Sequence, residues 1–256
     1  MTPYEALRKN YDELSAVLTR IEREVNRAIR ENHKAMIAPL TKVQMLLVSI
    51  KSEVALQYVI HMSPGFPTNT RQNILANGSA LQRWKATIDA AFRLHYGVKA
   101  GKSLEDGLSH DALAKWKTLH ELVDSELEPL ISNRNNLAHG QWARILDPTF
   151  TRVETTAMAR LNRENALSLK FHNNLIEQLT VLLGDLIRSP KTFESHFEQR
   201  YVKIRENRRS LVTVDYRDWF KSIQKTRKMF PVLVDIYVKK HGWHVVDSQG
   251  IEIDLQ

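Results

Sequence analysis

The amino-acid sequence predicts an all-α protein. Glycine and proline are both scarce, with 9 and 8 in 256 residues, which favours long helices over β folds with many turns. Apolar residues recur at helical spacing through several long segments, and two clear loops, 63–70 and 97–107, separate the central ones. The hydrophobic fraction of 43% is sufficient for a substantial core.

The first helix is predicted from residue 4 to about residue 32 and carries a heptad seam. Its apolar positions alternate by four and three residues: Leu7, Tyr11, Leu14, Leu18, Ile21, Val25 and Ala28. Three heptads lie at the lower limit for a coiled coil. The seam therefore predicts either a helix packed on its own domain or a dimer interface, and the sequence does not decide between them.

Four further helices are predicted, at 36–62, at 71–96, from Ser109 onward, and at 163–188. Apolar residues cover most of the circumference of the second, which indicates a central, buried element. Its polar residues Lys51, Ser52 and Glu53 are expected on a solvent-facing side, and the alternative is that one of them faces a functional site. These four helices would form an antiparallel four-helix core. The segment 142–156 is expected to be irregular or a short pair of extended strands.

The chain from 191 to 256 is predicted to be a basic extension of that core. Residues 200–228 contain ten Lys and Arg and three acidic residues, so the net charge of this segment is 10 − 3 = +7. Aromatic residues are interleaved among these charges. Cations that neutralise phosphates and aromatics that stack on bases suit RNA binding. The candidate RNA-binding residues are Arg200, Lys203, Arg205, Arg208, Arg209, Lys221 and Lys225. The alternative, slightly favoured by the sequence, is a solvated helix face whose aromatics point into the core. The alternating pattern around Gly250 predicts a terminal β-hairpin.

Composition excludes several classes of site. The chain has no cysteine, so disulfides, thiolate metal sites and cysteine nucleophiles are excluded. His241 and His244 have no convincing third ligand, so we expect neither a metal nor a cofactor. Residues 1–30 carry charge throughout, and the longest apolar stretch, 43–50, is too short to span a bilayer. We therefore expect a cytoplasmic protein without a membrane partner, and the net charge of +8 suits a nucleic-acid partner.

The motif that carries chemistry is Arg134-Asn135-x-x-x-His139, closed by Gly140. Random placement of 20 Arg and 10 His gives about one pair at this spacing, and requiring Asn after Arg lowers the expectation to roughly 0.04. A histidine can serve as base or acid near neutral pH. Arginine binds phosphate oxygens with two donors, and asparagine can orient the phosphate or the imidazole. These residue types suit metal-free attack of an RNA 2′-OH on the adjacent phosphate.

The spacing adds a geometric constraint. On a regular helix Asn135 and His139 share a face, whereas Arg134 and His139 are roughly 140° apart. Either the helix is distorted, for which Pro129 is the candidate, or a second copy completes the site. Glu126 and Glu128 are candidate ion-pair partners of Arg134. The alternative is that Arg134 and Asn135 are merely solvated and that His139 ends a helix.

At these residues the sequence resembles the HEPN superfamily, α-helical proteins of which many are metal-independent ribonucleases of toxin, antiphage and CRISPR-associated systems. The resemblance covers residues from about 36 to about 188. It implies a HEPN-like four-helix bundle at 36–190, between an N-terminal helical arm at 1–35 and the C-terminal extension at 191–256. It also implies a homodimer that cleaves RNA and leaves 2′,3′-cyclic phosphate ends. In this site Arg134 would bind the phosphate, His139 would transfer protons, and Asn135 would orient the phosphate or the imidazole.

By the same resemblance, the expected role is that of a toxin or antiphage defence effector, restrained by an inhibitory or activating protein partner. Two alternatives stay open: a non-catalytic HEPN-like binding or assembly module, and a basic helical nucleic-acid-binding regulator.

Overall fold

The fold is helical through nearly all of the chain that the computed structural model describes, which is residues 1–226 together with 245–246 and 252–253. The elements are α1 (Pro3–Arg30), α2 (Lys34–Ile60), α3 (Thr68–Leu75), α4 (Ala80–Tyr96), α5 (Leu104–Gly107), α6 (His110–Leu122), a π-turn (Val123–Leu127), α7 (Glu128–Ala138), α8 (Thr155–Arg163), α9 (Ala166–Arg188), α10 (Pro190–Thr213) and α11 (Tyr216–Lys225). The all-α class predicted from the sequence is confirmed.

Two short strands, β1 (Val245–Val246) and β2 (Glu252–Ile253), pair antiparallel. The turn that would join them lies outside the described residues, as do 227–244 and 254–256. The terminal hairpin as a whole therefore stays a prediction.

Local capping divides one helix that was predicted as continuous and sets the start of another. The segment 71–96 is split into α3 and α4, because the Ser79 side chain and Gln82 form a capping box that begins a new helix. The helix predicted at 163–188 begins instead at Ala166, where Asn165 and Ser168 form another capping box. The short helix α8 precedes it, and the segment before α8 is irregular apart from one antiparallel bridge, Leu146 to Val153.

The seam of α1 packs on the chain's own helices. Leu18, Val25, Ala28 and Ile29 are buried, and α1 lies along α2 and also contacts α9 and α11. This is the first of the two arrangements that the heptad pattern allowed. Trp219 and Phe220 of α11 pack against a small buried cluster of Val25, Ile29 and Ala166, so these two aromatic residues of the extension contribute to the fold.

Helix α2 is central, in contact with α1, α4, α7 and α9. Its apolar residues Met45, Val48, Leu56, Val59 and Ile60 belong to the main core. Among the described residues, α2 is the one helix long and apolar enough to cross a bilayer by length and composition alone. The core helix of a soluble protein meets the same criterion, and 56% of the most apolar 18-residue stretch of α2 is buried inside the fold.

The expected solvent-facing position of Lys51 and Ser52 is wrong, because both residues are fully buried. The Lys51 ammonium donates to Asn173 Oδ1 at 2.8 Å and to Glu177 Oε1 at 2.5 Å, both on α9. It also lies 5.2 Å from the ring centroid of Tyr11 on α1. A buried charge is tolerated when it is paired and hydrogen-bonded, and α9 supplies both kinds of contact.

The core continues beyond Pro190 into the region predicted as an extension. Helix α10 packs along α9, and its residues Phe193, Phe197 and Ile204 belong to the same buried cluster as the core of α2 and α9. The hydrophobic core is therefore built from helices on both sides of residue 190.

We predict that the Lys51–Glu177 pair is stabilising only as a pair. Glu177→Ala should cost about 1–3 kcal/mol of unfolding free energy, because the buried ammonium loses its carboxylate. Lys51→Met, which replaces the charge with an apolar chain, should cost less than about 1.5 kcal/mol. Urea unfolding measures both. The exposed Glu198→Ala is the matched control and should change stability by no more than about 0.5 kcal/mol. A loss for Glu177→Ala no larger than this control would contradict the prediction.

Candidate active site

The π-turn joins α6 to the helix that carries the motif. The Glu128 N–H donates to the carbonyl of Val123, five residues earlier, whereas in a regular α-helix it would donate to the carbonyl four residues earlier. Pro129 follows in the first turn of α7 and has no N–H to continue the regular ladder. The distortion for which Pro129 was the candidate therefore lies upstream of the motif, and α7 is regular through Ala138.

The C-terminal end of α7 is fixed by a Schellman motif. Gly140 adopts φ +77°, a conformation that glycine tolerates without strain. The Gly140 N–H donates to the Leu137 carbonyl at 3.1 Å, and the Gln141 N–H donates to the Asn136 carbonyl at 3.0 Å. His139 occupies the C-cap position and is exposed. The glycine thus ends the helix directly after the histidine of the motif.

The inner face of α7 packs on α2, and the two helices run in opposite directions. Ser49 Oγ donates to the Leu130 carbonyl at 2.9 Å, near the start of α7. The Lys42 ammonium, seven residues earlier on α2, donates to the carbonyl of Trp142, just beyond the end of α7. The Trp142 indole N–H donates back to the Leu137 carbonyl at 2.9 Å. The N-terminal half of α2 therefore lies beside the end of α7 that carries His139.

Arg134 forms an ion pair with Glu53 of α2, and their side chains are 26% and 33% exposed. The prediction that Glu126 or Glu128 holds Arg134 is wrong. Glu126 contacts Arg208 and His172, and Glu128 lies 3.8 Å from Arg160. The Cα–Cβ bonds of a helix tilt toward its N-terminus, so in an antiparallel pair the side chains of Arg134 and Glu53 reach toward each other.

The three motif residues divide between two faces of α7. Asn135 and His139 are exposed and four residues apart, so they share a face. Arg134 lies roughly 140° around the helix from His139 and is half-buried beside α2. One copy of the chain thus presents an imidazole and an amide together, with the guanidinium to one side.

A buried ion cluster that the sequence did not indicate lies next to this helix. His172 of α9 sits between Glu126 of the π-turn and Glu164, with Nε2 3.7 Å from Glu126 Oε2 and Nδ1 3.6 Å from Glu164 Oε2. Burial lowers the pKa of His172, but the negative charges of the two nearby carboxylates outweigh it and raise the pKa to about 9. The one sequence signal was the position of His172 on the apolar face of α9.

The basic residues of the extension divide into two groups. Arg200 pairs with Asp185 at 3.0 Å, and Arg208 pairs with Glu126 at 2.9 Å, so both guanidiniums are engaged in holding α10 on the fold. The other five candidates for RNA binding are exposed: Lys203, Arg205, Arg209, Lys221 and Lys225. Lys221 is 3.8 Å from Asp218 on its own helix.

Within residues 1–226 and the two strands, no group of three or more His, Asp or Glu side chains is arranged to hold a metal ion. His241 and His244 lie outside this part of the chain. Comparison with known proteins finds no matching family model, no significantly similar curated protein and no significantly similar solved structure.

We predict that the His172 cluster makes stability fall at alkaline pH. The folded pKa of about 9 exceeds the ordinary value of 6.5, so the stabilisation is fully present below pH 6.5 and is lost as the pH rises through 9. The loss should be on the order of 3 kcal/mol. Unfolding free energy measured by urea from pH 6 to 10 tests this.

The variant His172→Gln should flatten the pH dependence over this interval, and the exposed His110→Gln is its matched control. A wild-type curve no steeper than that of His172→Gln would contradict the assigned pKa shift.

Proposed function

We propose that the chain is a metal-independent endoribonuclease of the HEPN type, active as a homodimer. The observation that supports this most directly is the exposure of Asn135 and His139 on one face of α7, at a helix end fixed by Gly140. An exposed imidazole on a helix held firmly by its inner face suits proton transfer with a bound substrate.

In the proposed reaction the 2′-oxygen of RNA attacks the adjacent phosphorus while the bond to the 5′-oxygen breaks. A neutral His139 accepts the proton of the 2′-OH, and the imidazolium that forms donates a proton to the departing 5′-oxygen. The products are a 2′,3′-cyclic phosphate and a 5′-hydroxyl. Asn135, one helical turn before His139, orients the phosphate or the imidazole through its amide.

Arg134 supplies positive charge to the phosphate. Its guanidinium has five donors, so pairing with Glu53 at one edge leaves others for phosphate oxygens. Because Arg134 and His139 are roughly 140° apart on a regular helix, one copy does not aim both at one phosphate. We therefore propose that a two-fold dimer joins the Arg134 of one copy to the His139 of the other.

The proposed setting is cytoplasmic, as a toxin or antiphage effector that a partner protein restrains or activates. The main alternative is a non-catalytic binding module, and the ion pair between Arg134 and Glu53 is the observation that favours it, because Glu53 competes with phosphate for the guanidinium. The growth rate of cells that overexpress the protein distinguishes a ribonuclease from a non-catalytic binding module. An active ribonuclease should slow growth and His139→Ala should relieve the effect, whereas a binding module should behave alike with and without His139.

We predict that RNA cleavage in EDTA depends on the motif. Loss of the proton-transfer group in His139→Ala should lower the cleavage rate about 10²–10⁴-fold. Loss of phosphate charge in Arg134→Ala should lower it about 10²–10³-fold. Gel analysis of a mixed RNA pool, with mapping of cyclic phosphate ends, measures this. His110→Ala is the control because His110 is exposed on α6, and it should cleave like wild type. Full cleavage by a folded His139→Ala protein, or an inert wild type, would refute the assignment.

We further predict complementation between the two inactive variants. In a dimer of one Arg134→Ala chain and one His139→Ala chain, one of the two shared sites retains both groups. After random subunit exchange the mixture should recover about a quarter of wild-type activity. The same mixture with the double variant Arg134→Ala/His139→Ala in place of either single variant should stay inactive. No recovery, although exchange is confirmed by labelled subunits, would exclude the shared site.

A further inference from the structure

A cavity of ≈ 490 Å³ lies between α2, the junction of α8 with α9, and α11. Its lining includes Lys34 and Lys42 from α2, Asn162, Arg163 and Asn165 from the junction, and Tyr216 from α11. Its volume falls within the usual range for a small-ligand pocket. None of these residues belongs to the Arg-Asn-x-x-x-His motif.

The described lining of this cavity is positively charged. Lys34, Lys42 and Arg163 contribute three cations, and Glu164 is the one carboxylate among the described lining residues. The Glu164 carboxylate is already engaged, because its Oε2 accepts from Ser168 Oγ at 2.7 Å and lies 3.6 Å from His172 Nδ1. Within residues 1–226, Lys34 and Arg163 form no ion pair, so their charges are available to an anion.

Tyr216 adds an aromatic group with a fixed position. Its ring stacks on Trp219 with centroids 5.7 Å apart, and Trp219 packs against the buried cluster of Val25, Ile29 and Ala166. Burial raises the pKa of the Tyr216 hydroxyl, in keeping with a side chain set back from bulk water. Cations beside a fixed aromatic ring match the two parts of a nucleotide, its phosphate and its base.

The cavity adjoins the segment that follows His139. Lys42 lines the cavity and also donates to the carbonyl of Trp142, three residues after His139. Because α2 and α7 are antiparallel, the N-terminal half of α2, which forms one wall of the cavity, lies beside the His139 end of α7. A strand bound at His139 could therefore continue past Trp142 toward these cations.

We propose that this cavity binds a nucleotide of single-stranded RNA, with Lys34, Lys42 and Arg163 on the phosphate and Tyr216 against the base. That the nucleotide flanks the cleaved phosphate rests on the proposed ribonuclease function, whereas binding itself does not require cleavage. The cavity thus serves as a subsite that holds the RNA strand beside the reacting phosphate.

The test uses the full chain and a fluorescent 2′-O-methyl oligonucleotide of about 12 residues, which cannot be cleaved by 2′-OH attack. Affinity is measured by anisotropy across a salt series for Lys34→Glu, Arg163→Glu and Tyr216→Ala. Each charge reversal should lower affinity and reduce the slope of log K against log salt by about 0.7 per lost phosphate contact. Tyr216→Ala should lower affinity at least about fivefold with an unchanged slope.

Two further variants keep the test specific. Lys117→Glu makes the same charge change at an exposed position on α6 and should bind like wild type. Tyr216→Phe keeps the ring and should also bind like wild type, with folding of every variant checked by circular dichroism. If Lys117→Glu weakens binding as much as Lys34→Glu, or if Tyr216→Phe loses as much as Tyr216→Ala, the subsite is overturned.

The same binding assay distinguishes a free nucleotide from an RNA strand as the ligand. It also distinguishes failure of the subsite from failure of the ribonuclease function. If a mononucleotide such as AMP binds as tightly as the oligonucleotide, the cavity is a site for a free nucleotide, and the strand assignment is overturned. If wild type cleaves ordinary RNA but the cavity variants bind normally, the subsite fails and the ribonuclease stands. If the variants lose binding while wild type is inert on RNA, the subsite stands and the ribonuclease fails.

Discussion

Helix α2 is packed against four other helices, yet it carries polar side chains along its length. A buried polar group left without a hydrogen bond costs about 1–3 kcal/mol, so these side chains need partners on neighbouring elements. Ser49 donates a hydrogen bond to the first turn of α7, Lys51 donates hydrogen bonds to α9, and Glu53 forms an ion pair with Arg134. These contacts set the position of α7 along α2, and with it the place where His139 ends its helix.

A second set of buried charges joins the π-turn to the C-terminal half of the chain. Glu126 contacts both His172 of α9 and Arg208 of α10, so a change in any one of them leaves a charge on the others uncompensated. The π-turn places Glu126 in this cluster and leaves the following α7 regular. Arg208, one of the clustered cations of the extension, therefore has a structural role in this set of charges.

The proposed active surface combines elements that are far apart in sequence. The exposed face of α7 carries Asn135 and His139, its α2 side carries Arg134, and a cationic cavity adjoins the segment after Gly140. Charge that stabilises a transition state is most effective when fixed before substrate arrives. Glu53 restricts the Arg134 guanidinium in this way, at the cost of competing with the phosphate for some of its donors.

The sequence by itself determined the helical class, the spans of α1 and α2, the helix end at Gly140 and the shared face of Asn135 and His139, because these depend on periodicity and caps within a few residues. The capping boxes at Ser79 and Asn165 are equally local, but the apolar pattern continues across both positions, so the helix starts there were not predicted. Only the tertiary structure decided that Lys51 is buried, that Glu53 holds Arg134 and that His172 joins two carboxylates. Helical periodicity shows which side of a helix is apolar. It does not show which partner, 81 residues away in the case of Glu53 and Arg134, lies opposite a charge.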